Sequence, residues 1–209
     1  MLPPLLPMLA VPAAPFDSPE YVFEIKWDGV RALAAVEADG WRLWGRGLSD
    51  YTARYPELAV LRQWPAGTLV DGELVVLRAG RADRTRLLQR HHLVDPLKIR
   101  QAPRWCPVHY IPFDLLYHAG RCLLQEPLVR RQELLRAVGA ARPVPGVLFT
   151  AGVEGCGRAC YAAAIAQGHE GVMAKALAST YRPGQRSTSW RKIKRPSPRG
   201  PGGAGRRQG

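Results

Sequence analysis

The 209-residue chain predicts an α+β fold rich in antiparallel sheet. Short runs of β-branched and aromatic residues recur along it, and Asp-Gly pairs at 28/29 and 39/40 supply turns between the first of them. Stretches with helical spacing of apolar residues fall between the later runs, so helices and strands interleave.

Residues 1–20 are punctuated by prolines and are expected to form an irregular leader over the domain surface. From Tyr21 the runs YVFEI, VRALAAVEA and WRLWG read as strands. Ala53 to Trp64 reads as a helix with Leu58, Leu61 and Trp64 on one face, leading into the strand TLVDGELVVL. A helix over Arg84 to Leu93 precedes the strand VHYIPFDLLY. Helices near Leu128 to Val138 and Arg158 to Gln167, then strands at GVMAK and SWRKIK, complete the pattern. No internal repeat is visible. After Arg195 the tail PSPRGPGGAGRRQG has no residues with which to bury a core and is expected to be disordered. The expected organisation is a leader at 1–20, one compact domain at 21–195 and a basic Pro/Gly/Arg tail at 196–209.

Thirty Lys and Arg against 17 Asp and Glu give a formal charge of +13, which favours a polyanionic partner through steering and counterion release. Nucleic acid is the first candidate. An anionic membrane surface is disfavoured because the basic end, which carries no acid after Glu170, lacks an apolar face. Cys106, Cys122, Cys156 and Cys160 form no CxxC pair and read as free thiols in a reducing compartment. The apolar start MLPPLLPMLA lacks a basic region and is broken by prolines, unlike a secretory signal, and no apolar run reaches the roughly 20 residues of a membrane span. A soluble, cytoplasmic protein is the expectation.

The hexapeptide KWDGVR sits at a strand end and opens into a tight turn, so Lys26 projects from a constrained loop between strand and Arg31. Taken alone it is equally a turn carrying a solvated lysine. Glu73 and Glu170 each neighbour a glycine, where backbone approaches a ligand closely, or else they are solvated edge charges. Phe113 alternates within an apolar strand, as a core residue would, and Glu24 lies on the same strand face as Lys26.

KWDGVR resembles motif I of the covalent nucleotidyltransferases, the superfamily of ATP-dependent DNA ligases, RNA ligases and mRNA capping enzymes. GRGLSDYTARYPEL, LVDGELVV, IPFDLLY, HEGVMAK and RSTSWRKIK resemble the later elements in the right order, over about residues 7 to 195. The wording is closest to the ligase domain of bacterial end-joining DNA ligases. The resemblance implies an antiparallel-sheet-rich, ATP-grasp-like adenylation fold in which Lys26 becomes covalently adenylated. It also implies that Arg46 contacts the nucleotide, Glu73 the ribose, Phe113 the adenine face and Lys175 a phosphate, and that Glu73 and Glu170 serve a Mg²⁺ or Mn²⁺ ion. Glu24 would meet the adenine amino group, and Arg31, Lys192 and Lys194 would complete the site around ATP. Nicked or broken double-stranded DNA is the implied partner.

Elementary chemistry asks for the same set. A lysine nucleophile must be neutral, and at a reference pKa of about 10.4 only about one in a thousand is neutral at pH 7.4; neighbouring cations and a metal lower that pKa. Phosphoryl transfer then needs positioning and neutralisation of oxygen charge, hence carboxylates for a metal and several cations.

Three departures stand out. Gly45, Arg46, Gly47 and Leu48 occupy a loop where the family usually has small polar residues flanking its Arg. Thr85 replaces an aromatic ahead of Leu88, Gln89 and Arg90. The chain ends 15 residues after Lys194, so the family's OB-fold domain is expected to be absent, and an OB-fold or end-joining repair protein would act in trans. The competing readings are an RNA ligase or capping-type nucleotidyltransferase, and a catalytically weak cationic DNA-binding accessory protein.

Overall fold

The computed structural model describes residues 1–195, and the expected tail at 196–209 lies outside them. The strands are β1 (Leu9–Pro12), β2 (Ser18–Ile25), β3 (Val30–Glu37), β4 (Gly40–Gly45), β5 (Thr68–Val75), β6 (Leu77–Arg78), β7 (Arg81–Ala82), β8 (His109–His118), β9 (Arg121–Cys122), β10 (Val153–Gly155), β11 (Gly171–Ala176) and β12 (Arg186–Lys194). The α-helices are α1 (Arg84–His91), α2 (Pro96–Gln101), α3 (Leu128–Ala141) and α4 (Gly157–Ala166). Two five-stranded sheets carry the fold, one in the order β1-β12-β11-β2-β10 and the other β4-β3-β5-β8-β9. Their ladders are antiparallel except for β1 against β12.

Strand alternation decides how the sheets stack. On β3, Leu33 and Ala35 face an inner cluster with Leu69, Leu116, Met8, Tyr181 and Trp190, which joins the two sheets. Ala32, Ala34 and Val36 face the other way and pack with Leu58, Leu61, Trp64, Leu87 and Leu135 of the helical layer. A third cluster sets Ala164 of α4 against Phe23, Val172, Ala174 and Ile193 of the first sheet. Helix α3 is tied to the second sheet by a buried pair, Arg131 Nε and Nη2 donating to Asp114 Oδ1 and Oδ2 at 2.7 and 2.8 Å.

Several sequence expectations are corrected. The leader is built into the fold: Leu9–Pro12 extends the first sheet, Met8 is fully buried, and Met8 N donates to Tyr181 Oη at 2.9 Å. Prolines are tolerated there because β1 is an edge strand. The Asp28-Gly29 turn closes no hairpin; it hands the chain from the first sheet to the second, while Asp39-Gly40 does close β3 onto β4. The expected helix from Ala53 to Trp64 is two 3₁₀ segments, Thr52–Arg54 and Pro56–Gln63. Tyr55, Leu58, Leu61 and Trp64 recur every three residues, the spacing that a 3₁₀ turn places on one side, and all four are buried. Helix α2 was not anticipated, although Asp95 caps it through Leu97 N and Pro96 opens it.

Candidate active site

Lys26 follows the last residue of β2, and its backbone N–H donates to Gly171 O at 2.9 Å, which fixes the strand end beside β11. Gly171 has φ 151°, and a Cβ there would strike Ile193 O, so this crossing requires glycine. Gly29 is equally constrained, since a Cβ would collide with Leu74 O and lie 2.7 Å from Glu73 Cγ. The KWDG loop can therefore lie directly on β5 and bring Lys26 to Glu73.

Register assembles the rest. In the first sheet Met173 pairs with both Glu24 and Lys192, Lys175 pairs with Trp190, and Gly171 pairs with Lys194. Period two then directs Glu24, Met173, Lys175, Trp190, Lys192 and Lys194 to one face. In the second sheet Arg31 pairs with Glu73. The two faces enclose a cleft of about 300 Å³ lined by Glu24, Lys26, Arg31, Arg46, Glu73, Phe113, Lys175, Lys192 and Lys194. Glu170 does not line this cleft but an adjoining one, which it shares with Lys26, Asp28, Glu73, Arg84 and Lys194. Every residue singled out in the sequence thus lies in one continuous neighbourhood.

Lys26, Lys194, Lys175 and Arg31 are each paired with a carboxylate. Lys26 Nζ donates to Glu170 Oε2 at 2.5 Å, and Lys194 Nζ pairs with Glu170 Oε1. Burial alone would raise the Glu170 carboxyl, but Lys194 and Lys26 outweigh it and hold the group below the usual carboxylate range. Glu73 behaves oppositely: burial pushes it up to about 7 against the opposing pull of Arg31 and Lys26. Lys192 is lowered by partial burial and by the cations Arg186, Lys194, Lys26 and Arg46 around it.

Lys175 is buried, with Nζ 2.6 Å from Glu24 Oε2, 4.0 Å from the Phe113 ring centroid and 4.7 Å from that of Trp190. The Arg31 guanidinium lies 4.6 Å from the Phe113 ring centroid and forms a fork onto Asp71, with Nε and Nη2 each 2.5 Å from a carboxylate oxygen. Burial works against its charge, yet Asp71 keeps it protonated. Arg46 is exposed at the cleft rim. Among the described residues no group of three or more His, Cys, Asp or Glu could hold a metal by itself. Glu73 and Glu170, which share the adjoining cleft with Lys26, suit Mg²⁺ bound together with substrate phosphates, a common mode for that ion.

Sequence reasoning gave no role to Trp190, Arg186, Asp71 or Gln132, all of which contribute to the site or hold its residues. For Trp190 a signal existed: it precedes Lys192 by two residues on the same strand and so shares its face. For Gln132, on helix α3, there was none.

A family model described as the ATP dependent DNA ligase domain matches residues 7–194. A protein named "Probable DNA ligase" from Anaeromyxobacter sp. (strain Fw109-5) is 34% identical over 203 residues, 93% of this chain and 39% of its own length. The "Multifunctional non-homologous end joining DNA repair protein LigD" of Mycobacterium tuberculosis (strain ATCC 25618 / H37Rv) is 35% identical over 196 residues, 91% of this chain and 24% of its own length. The chain therefore spans about two fifths or less of these curated relatives. The solved structure described as mycobacterial DNA ligase D complexed with ATP and MES superposes with a TM-score of 0.73 at 31% identity, covering 91% of this chain and 60% of that one.

Proposed function

Because the chain belongs to the ATP dependent DNA ligase domain family, we propose that it uses ATP to adenylate Lys26 and passes the AMP to a 5′-phosphate in nicked or broken double-stranded DNA. The observation that carries this reading is Lys26 at the junction of the two clefts, with Glu170 against its Nζ and with Lys192, Lys194, Lys175 and Arg46 in the same neighbourhood.

The Lys26 ammonium first gives one proton to solvent; the neutral Nζ then attacks the ATP α-phosphorus, a P–N bond forms as the bond to the β-phosphate oxygen breaks, and pyrophosphate leaves. The proton lost from Nζ has Glu170 within reach at 2.5 Å. Lys192, Lys194 and Arg46 neutralise phosphate oxygens in a partly dehydrated cleft, Phe113 offers a ring face to the base, and Glu24 accepts from its amino group. On this reading Glu73 takes the ribose hydroxyls. Glu73 and Glu170 would also hold a divalent ion, Mg²⁺ or Mn²⁺, which when bound supplies charge neutralisation at the phosphates. Lys175 reaches a phosphate only by leaving Glu24, so nucleotide entry on this reading includes that exchange.

The strongly basic composition supports a DNA partner. An OB-fold or end-joining repair protein acting with this domain extends the same proposal. Among the described residues no helix is long and apolar enough to cross a membrane. The experiment is a chase: protein labelled from α-³²P ATP is freed of nucleotide and mixed with a nicked duplex carrying a 5′-phosphate. Label moving from protein to DNA supports the reading, and label that stays on protein with DNA bound contradicts it.

A further inference from the structure

Glu24 is held from two sides. Lys175 Nζ lies 2.6 Å from Oε2, and Gln132 Nε2 donates to Oε1 at 2.5 Å. The same Gln132 nitrogen donates to Phe113 O at 3.2 Å. Both partners are pure acceptors, so the amide nitrogen and not its oxygen must face them. Gln132 is 6% exposed on α3, and it lines a further cleft that shares Glu24 and Phe113 with the main one. One helix side chain thereby fixes the carboxylate on β2 and the backbone of the aromatic residue on β8.

From this juxtaposition we propose that Gln132 is a positioning residue for base recognition, setting the Glu24 carboxylate and the Phe113 ring for adenine. The inference rests on the adenylation reading above. Without Gln132 nothing holds Glu24 Oε1, and once Lys175 turns from Oε2 to a phosphate the carboxylate is free to swing. Adenine presents an amino donor to a carboxylate, whereas hypoxanthine presents a carbonyl oxygen, so a fixed Glu24 favours ATP over ITP. A carboxylate free to swing discriminates less. Gln132 is not among the residues lining the main cleft with the lysines, so its loss affects binding and selectivity more than the chemical step.

The test measures lysyl-nucleotide formation with ATP and with ITP for the parent, Gln132→Met, Glu24→Gln and the double variant, each confirmed as folded by circular dichroism. Gln132→Met is expected to raise the KM for ATP about tenfold, with the maximal rate changed less than about threefold. The ATP-over-ITP preference should fall by a similar factor. In the double variant the preference should equal that of Glu24→Gln alone, because Gln132 acts through Glu24. Should Gln132→Met not fold, Gln132→Asn replaces it, being polar but one methylene too short to reach both acceptors. An unchanged ATP preference, or losses that add in the double variant, would overturn the proposal. Parent protein that forms no adduct with either nucleotide would instead overturn the adenylation reading, and this proposal with it.

Discussion

Glu170 bridges Lys26 and Lys194, one carboxylate oxygen taking each ammonium group. The carboxylate is held charged by those two lysines, so it keeps Lys26 beside the cleft while tying down a second cation. Glu170→Gln should slow adenylation about 100-fold, in the range lost with a proton-transfer group. Both pairs are partly open to solvent, so stability should change by less than about 1 kcal/mol. Adduct formation followed over time, beside a urea melt, checks both halves.

Burial raises Glu73 from 4.5 to about 7 in the folded protein. A folded pKa above the unfolded one means that the folded state holds the proton more tightly. The stability this contributes is present below pH 4.5 and is lost as pH rises through about 7. Unfolding free energy should therefore fall between those values by up to about 3 kcal/mol on account of this group. Glu73→Gln should flatten that part of the profile. Urea midpoints at pH 5 and 7.5 provide the comparison.

The Asp114 to Arg131 pair is fully buried and ties α3 to β8 beneath the site. Breaking it with Arg131→Met leaves an unpaired buried carboxylate and should cost about 3–5 kcal/mol. Replacing both by Leu and Met should recover part of that loss, since the carbonyls of Glu126 and Ser179 still lose the Arg131 Nη1 donor. The maximal adenylation rate per folded molecule should remain close to the parent's, with any change falling on the KM for ATP through Gln132 on the same helix.

DNA binding should show little sequence preference and a steep dependence on salt, because phosphate contacts carry no base information. Deleting residues 196–209 removes Arg199, Arg206 and Arg207 and should reduce the slope of log affinity against log salt by up to about 2.7. An unchanged slope would mean that those cations do not meet the duplex.

Much of the fold was legible because its strands are written in alternation: the residues of β3, β5, β8, β11 and β12 were expected close to where they lie. The cleft residues were also legible, since KWDGVR, LVDGELVV and RSTSWRKIK carry their functional groups at strand ends or on one strand face. What one sequence could not convey was long-range pairing. Nothing local told that Leu9 would meet Arg186, or that Asp28-Gly29 would join two sheets. Gln132 was hidden for the same reason: its meaning lies in Glu24, 108 residues away. The 3₁₀ stretch resembles an α-helix in sequence because apolar residues three apart also satisfy part of an α-helical stripe.

Intact mass after incubation with ATP and Mg²⁺, followed by peptide mapping, decides whether Lys26 is the nucleophile. One AMP adduct on Lys26 is expected, and none should form in Lys26→Arg, whose guanidinium stays protonated. An adduct on another residue, or one that persists in Lys26→Arg, would contradict the assignment.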